Sequence, residues 1–221
     1  MVNLSLLMKI PNISQLSQQT LELVADHGFF QSRPQGYDIV VEGMPAEYCY
    51  FIISGYVRAL RMSLDGRIQV LSRFGPGYPV NMISLLSNEK TNRATIEPIT
   101  KVDLLVLDTE TFGRLLAEHT DFSVMLLHRL ADRMTKMTNL ATDLSLHSVR
   151  SRLAKFLIDL ADKPQTAGGW TQDEIASEIG TVRDVVGRLI REFESSGYIQ
   201  RNHQQITLVD REGLKSIAMG L

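Results

Sequence analysis

The sequence predicts an α+β fold in two parts: an N-terminal antiparallel β-roll or jelly roll, then a long dimerisation helix leading into a C-terminal winged helix-turn-helix. Three observations carry this expectation. Between Tyr37 and Leu107, short β-rich runs alternate with glycine-containing turns. From Phe122 to Leu146, apolar residues recur at heptad spacing. After Thr171, a capped helix, a glycine and a second helix follow one another, with a β-rich tail behind them.

A chain of 221 residues with 44% hydrophobic and 22% charged content suits two modest globular domains. The formal net charge of −2 excludes a wholly basic nucleic-acid coat protein and leaves room for a local basic face. Cys49 is the single cysteine, which excludes an intramolecular disulfide and any four-cysteine zinc or iron–sulfur site, and suits a reducing compartment. Residues Met1–Ile13 lack the apolar core and small-residue cleavage site of a signal peptide. No run approaches the roughly 20 apolar residues of a membrane span. A soluble, cytoplasmic protein without a membrane partner is expected.

Taken in order, Ser17–His27 reads as a short helix stopped at Gly28. The β-rich runs are Tyr37–Val41, Tyr48–Ile53, Tyr56–Met62, Arg67–Phe74, Ala94–Glu97 and Val102–Leu107, and Asp65-Gly66 is the strongest hairpin signal. Thr109–Glu118 predicts a helix and Phe122–Leu146 a longer one. In the long helix Leu127, Leu130, Met134, Met137, Ala141 and Leu144 form a narrow seam of two-helix width. The alternative is a face packed on its own domain; a closed roll would leave the stripe without an intramolecular mate, which favours a homodimer. Ser148 reads as the N-cap of a further helix, Val149–Ala161, followed by the connector Lys163–Gly169. The expected division is 1–120, 121–147 and 148–221.

Thr171-Gln-Asp-Glu174 has the form of a capping box, a Thr hydroxyl for the third amide and a Glu reaching back. It opens a helix over Gln172–Ile179; Gly180 makes the turn, and a second helix runs over Arg183–Ser196. Ile175, Ile179, Val185 or Val186, and Leu189 are expected between the helices. Arg183, Asp184, Gly187, Arg188 and Arg191 then occupy the outer face. Arginine pairs with guanine O6 and N7, and a carboxylate accepts from the cytosine amino group, so this face has the chemistry of base reading. The alternative, a merely solvated charged face, does not account for cap, turn, helix and wing in succession. The wing is expected over Gly197–Leu208, two short strands around a polar tip.

With these features in place, the whole chain resembles the Crp/Fnr family of transcription regulators. Val41–Val57 resembles the family's first β-roll hairpins, and Thr171–Ala176 with Arg183–Arg188 resembles its helix-turn-helix. The resemblance implies a homodimer on double-stranded DNA, Arg183 and Arg188 at guanines or adjacent phosphates, Asp184 at a cytosine in place of the family's glutamate, and Thr171 at a phosphate. For an activator it also implies RNA polymerase as a partner. Val182 stands where the family has a Ser or Thr cap, with Thr181 one place early, so the recognition helix is expected to start a residue sooner.

In cyclic-AMP-binding members a Gly-Glu pair holds the ribose and an Arg-Ser pair the phosphate; here those places are Asn81-Met82 and Asn92-Arg93. Met82 cannot accept ribose hydroxyls, and an arginine displaced by one place on a strand turns to the other face. A ligand other than cyclic AMP is expected. Ser84–Arg93 is similar to the corresponding segment of the family's 2-oxoglutarate-binding nitrogen regulators, where an arginine at the place of Arg93 and another on the long helix grip carboxylates. That implies Arg93 and Arg133 for a small anionic effector, with Met82 and Ile83 beside them; Thr138 stands where those regulators have an acidic residue. Arg133 could equally be a solvated charge beside the coiled coil. Apolar Met82 and Ile83 also suit a form that needs no effector and is permanently competent for DNA.

No cofactor is expected, neither iron–sulfur nor haem. His27, His119, His128, His147 and His203 show no metal-ligand spacing, and Cys49 reads as a small core residue. A cupin-like enzyme would need strand histidines, and none lies between His27 and His119. The protein is not expected to be an enzyme.

Overall fold

A computed structural model describes residues 2–162, 170–202 and 205–220. The chain divides into two compact units, residues 1–61 with 71–136, and residues 62–70 with 137–221. The first opens with α1 (Leu4–Leu7), a 3-10 turn (Ile13–Gln15) and α2 (Gln18–His27). Strands β1 (Phe29–Arg33), β2 (Tyr48–Ser54), β3 (Val57–Met62), β4 (Ile68–Phe74) and β5 (Pro79–Val80) follow, then α3 (Met82–Leu86), β6 (Thr95–Pro98), β7 (Val102–Asp108) and α4 (Thr109–Glu118). Helix α5 (Thr120–Leu146) begins in this unit.

The strands form a four-stranded sheet, β1-β7-β2-β5, and a three-stranded sheet, β4-β3-β6. The register pairs Phe51 with Leu105 and Ala59 with Ile96, both antiparallel. Strands β2 and β7 are covered on both faces, which explains why their sequences are apolar runs rather than alternations. Cys49, Phe51, Leu105 and Leu107 pack under the helices with Phe112, Leu115 and Phe122. Tyr50, Ile52, Leu104 and Val106 point the other way, into the layer shared with Val57 and Phe74. Cys49 is fully buried and burial pushes its thiol pKa up, so it packs as a small apolar group without thiolate character. Gly55 (φ 82°) closes the β2–β3 turn where a Cβ would lie 2.2 Å from the Lys101 carbonyl oxygen. The expected Asp65-Gly66 turn forms, with the Gly66 amide donating to the Ser63 carbonyl at 2.9 Å.

Three local expectations differ from the structure. Tyr37–Val41 makes no strand; Val40 alone forms an isolated bridge to Ile96, because a glycine in the left-handed region sits on either side, Gly36 and Gly43. Strand β1 lies just after Gly28, where Phe29 and Phe30 are followed by polar residues and the alternation is too short to read. The N-terminal residues, without a sequence signal of their own, bury Leu7, Ile10 and Ile13 completely against the helix-covered sheet face.

The second unit contains α6 (Val149–Ala161), α7 (Gln172–Ile179), α8 (Arg183–Ser195), the hairpin β8 (Ile199–Asn202) with β9 (Gln205–Leu208), and α9 (Arg211–Ala218). Leu153, Leu157, Ile175, Val186, Phe193 and Leu214 meet in its core. Ser148 caps α6, accepting from the Ser151 amide at 3.1 Å. Helix α9 was not expected; Asp210 caps it at the Gly213 amide, and Leu214 and Ile217 bury its inner face. The expected connector Lys163–Gly169 and wing tip His203-Gln204 lie outside the described residues.

Candidate functional site

The helix-turn-helix is assembled by local rules. The Glu174 amide donates to Thr171 Oγ1 at 3.2 Å, and the Thr171 amide donates to Glu174 Oε2 at 2.9 Å, completing the capping box. The Thr171 hydroxyl also donates to Glu174 Oε2 at 2.9 Å, so a phosphate at Thr171 has to compete with this bond. Gly180, in the left-handed region at φ 68°, ends α7 with its amide on the Ala176 carbonyl. Helix α8 starts at Arg183 with Val182 as N-cap and no side-chain cap bond. The earlier start expected at Thr181 does not occur, because the Thr181 amide is turned back to the Ala176 carbonyl at 3.0 Å.

Arg183, Asp184, Arg188 and Arg191 are exposed on one face of α8, while Val186, Leu189, Ile190 and Phe193 are buried on the other. Arg183 keeps only a loose contact with Asp173, 3.8 Å between exposed groups, which solvent screens heavily. Gly187, expected on the outer face, is buried; a Cβ there would meet the flexible end of the Gln172 side chain, Oε1 at 2.8 Å.

Sequence reading missed Arg152. Its Nε donates to the Ile179 carbonyl at 2.8 Å, Nη1 to the His147 carbonyl at 2.7 Å and Nη2 to the Gly180 carbonyl at 3.2 Å. One guanidinium thus satisfies carbonyls that α7 leaves open at its C-terminus and another just beyond α5. Burial holds its pKa below the ordinary value, opposed by Asp143. Nothing local in the sequence marks it out; its partners are distant in the chain.

In the first unit, a cavity of about 90 Å³ lies against β5 and α3. Arg93, Arg133, Met82 and Ile83 all line it, and Thr138 does not. Thr138 is exposed on α5. Arg93 reaches the cavity despite its displacement by one place because β6 begins only at Thr95; off the strand, the two-residue alternation does not apply. Its Nη1 pairs with Glu89 at 2.9 Å. Arg133 differs: its Nη1 is buried without a hydrogen-bond partner, and its guanidinium lies 5.0 Å from the Phe74 ring centroid. Burial lowers its pKa, against a raising contribution from Tyr78. Asn81, in the left-handed region at φ 66°, donates to the Tyr48 carbonyl and to Asn92 Oδ1, both at 3.0 Å. Asn92 is buried and donates to the Val41 carbonyl at 3.1 Å. These two asparagines are committed to holding the cavity's frame.

Along α5 much of the seam is exposed in the single chain. Leu127 is 63% and Met134 74% exposed. Ala141 and Leu144 are also exposed and Met137 half-buried, while Leu130 packs in part on the helix-covered core. Among the described residues, no three His, Cys, Asp or Glu side chains gather as a metal site, and no helix is long and apolar enough to cross a membrane.

Residues 30–119 match the cyclic nucleotide-binding domain, and residues 151–217 match the Crp-like helix-turn-helix domain. A CRP-like cAMP-activated global transcriptional regulator of Mycobacterium tuberculosis is 31% identical over 190 residues, covering 82% of this chain and 84% of the relative. The cAMP-activated global transcriptional regulator CRP of Salmonella typhimurium is 24% identical over 196 residues, covering 86% and 93%. Among solved structures, the c-di-GMP responsive global regulator CLP of Xanthomonas campestris shares the fold at TM-score 0.77 and 24% identity, over 87% of this chain and 99% of that one. A CRP/FNR-family transcriptional regulator from Thermus thermophilus superposes at TM-score 0.67 with 26% identity, over 86% and 98%.

Proposed function

Because the chain belongs to the Crp/Fnr family of transcription regulators, we propose that it acts in the cytoplasm as a homodimer on an inverted DNA repeat, controlled by a small anionic effector other than cyclic AMP. The observation that carries the DNA reading is the outer face of α8, where Arg183, Asp184, Arg188 and Arg191 are exposed and Arg183 is only loosely paired. Arg183 and Arg188 meet guanines or neighbouring phosphates, Asp184 a cytosine, and Arg191 the backbone. The largely exposed seam from Leu127 to Leu144 supports the homodimer, whose two-fold would place half-sites about one helical turn, some 34 Å, apart. Residues 1–120 would then sense, 121–147 dimerise and 148–221 bind DNA.

The effector reading is supported by Arg133, a half-buried guanidinium on the same helix as the seam whose Nη1 is buried and unbonded. A ligand drawn to it would bias how paired long helices cross. Cyclic AMP is named for the Mycobacterium and Salmonella relatives and c-di-GMP for the Xanthomonas one, so relatives of this fold differ in their effector. Against cyclic AMP here stand the buried thioether of Met82 and the internal commitment of Asn92. A second reading, a form competent without any effector, is favoured by the small size of the cavity.

Met134→Glu with Met137→Glu sets like charges across the proposed two-fold. Sedimentation should show a monomer at micromolar concentration, with binding to a selected inverted repeat lost in the same variant. A double variant that remains dimeric would place the dimer contact elsewhere.

A further inference from the structure

We propose that the cavity takes an organic monoanion, one carboxylate on a small apolar body, and that Arg133 is its anchor. The inference rests on the reading of this cavity as the effector site and names the chemistry that the wall selects. The wall is mostly apolar: Leu71, Phe74, Tyr78, Val80, Met82 and Ile96 contribute to it. No Asp or Glu is among the lining residues. The charge of Arg133 is therefore held beside an aromatic ring, with one nitrogen buried and unbonded, and no lining carboxylate balances it. A buried donor left unmade is costly. Arg133 lines the cavity, so a carboxylate there would balance its charge, and a turn of the guanidinium that brings Nη1 to it would make the missing bond.

The remaining polar lining groups have partners already. Arg93 is 47% exposed and paired with Glu89, so a second anionic group would have to break that pair. The Asn81 amide donates twice within the protein, and Ser84 Oγ accepts from the Arg93 amide at 3.1 Å. This leaves one anionic position and little to hold sugar hydroxyls or a second carboxylate. Size points the same way. The cavity, about 90 Å³, is smaller than the roughly 150 Å³ that admits benzene in an engineered protein core. The body that fits is a short aliphatic chain.

The test is calorimetric titration of the full-length protein with propionate, its neutral counterpart propan-1-ol, 2-oxoglutarate and cyclic AMP, in wild type, Arg93→Ala and Arg133→Met. Propionate should bind wild type and Arg93→Ala alike, and its Kd should rise at least about tenfold in Arg133→Met, with the alcohol indifferent to that change. Arg133→Met should melt at or above the wild-type temperature, since it removes an unbalanced buried charge; this separates lost binding from lost folding. Propionate affinity unchanged in Arg133→Met, or equal to that of the alcohol in wild type, overturns the proposal. Tighter binding of 2-oxoglutarate that depends on Arg93 overturns the monoanion while keeping an anionic effector. No binding of any of the four compounds overturns both and leaves the effector-independent form.

Discussion

Arg183 and Arg152 carry the same group and lie in the same unit, yet their surroundings give them opposite work. Arg183 stands on the outer face of α8, two-thirds exposed, with one loose carboxylate neighbour. Arg152 spends Nε, Nη1 and Nη2 on three backbone carbonyls at the ends of α7 and α5. Arg133, in the other unit, is a third case, half-buried with one nitrogen buried and unspent. The difference teaches that an arginine's role is read from the bonds it has already made. A guanidinium saturated by its own chain stabilises, and one left open recognises.

The sharpest way to break this comparison is Arg152→Leu. Removing it strands the Ile179, Gly180 and His147 carbonyls, and unfolding in urea should show a loss of about 2–3 kcal/mol. DNA affinity should fall as well, because the turn before α8 loses its clamp. A variant as stable as wild type would mean that these bonds are readily replaced by water.

Arg183→Ala should do the reverse. Stability should stay within about 0.5 kcal/mol of wild type, while affinity for the selected inverted repeat falls by about 1–3 kcal/mol and preference relaxes at one base pair. Fluorescence anisotropy against a panel of single-base variants checks both parts. If affinity fell equally for every sequence, Arg183 would be a phosphate contact and Arg188 the candidate reader.

The smallest effect is expected at Thr171, which lies between the two classes because its hydroxyl is saturated and yet faces solvent. Thr171→Ala should cost about 1 kcal/mol of stability through the lost cap. Thr171→Ser, which keeps the hydroxyl, should restore most of it. A DNA defect in the serine variant beyond its stability change would sharpen the comparison, showing that the hydroxyl also meets the nucleic acid.

The helix-turn-helix was legible in the sequence because its rules are local. Capping box, left-handed glycine and a helix with one apolar face each lie within a short stretch of chain, and all appear where the pattern placed them. Strands β2 and β7 were legible as apolar runs, but which residue faces which layer follows only from their register. The cavity was half legible. Arg93, Arg133, Met82 and Ile83 were named from likeness to known regulators, and all four line it, whereas Thr138, named on the same ground, does not.

The sequence by itself determined the class of fold, the order of its main parts and the exposed basic face, since these follow from periodicity, caps and glycine turns. Tertiary structure alone decided that Arg152 is a clamp, that Gly187 is buried, that Asn81 and Asn92 are frame, and that Arg133 has an open donor. The hydrogen bonds that make clamp and frame reach partners from 5 to 51 residues away in the chain. A guanidinium or amide has the same letter whether satisfied or not, and only the folded contacts distinguish the two.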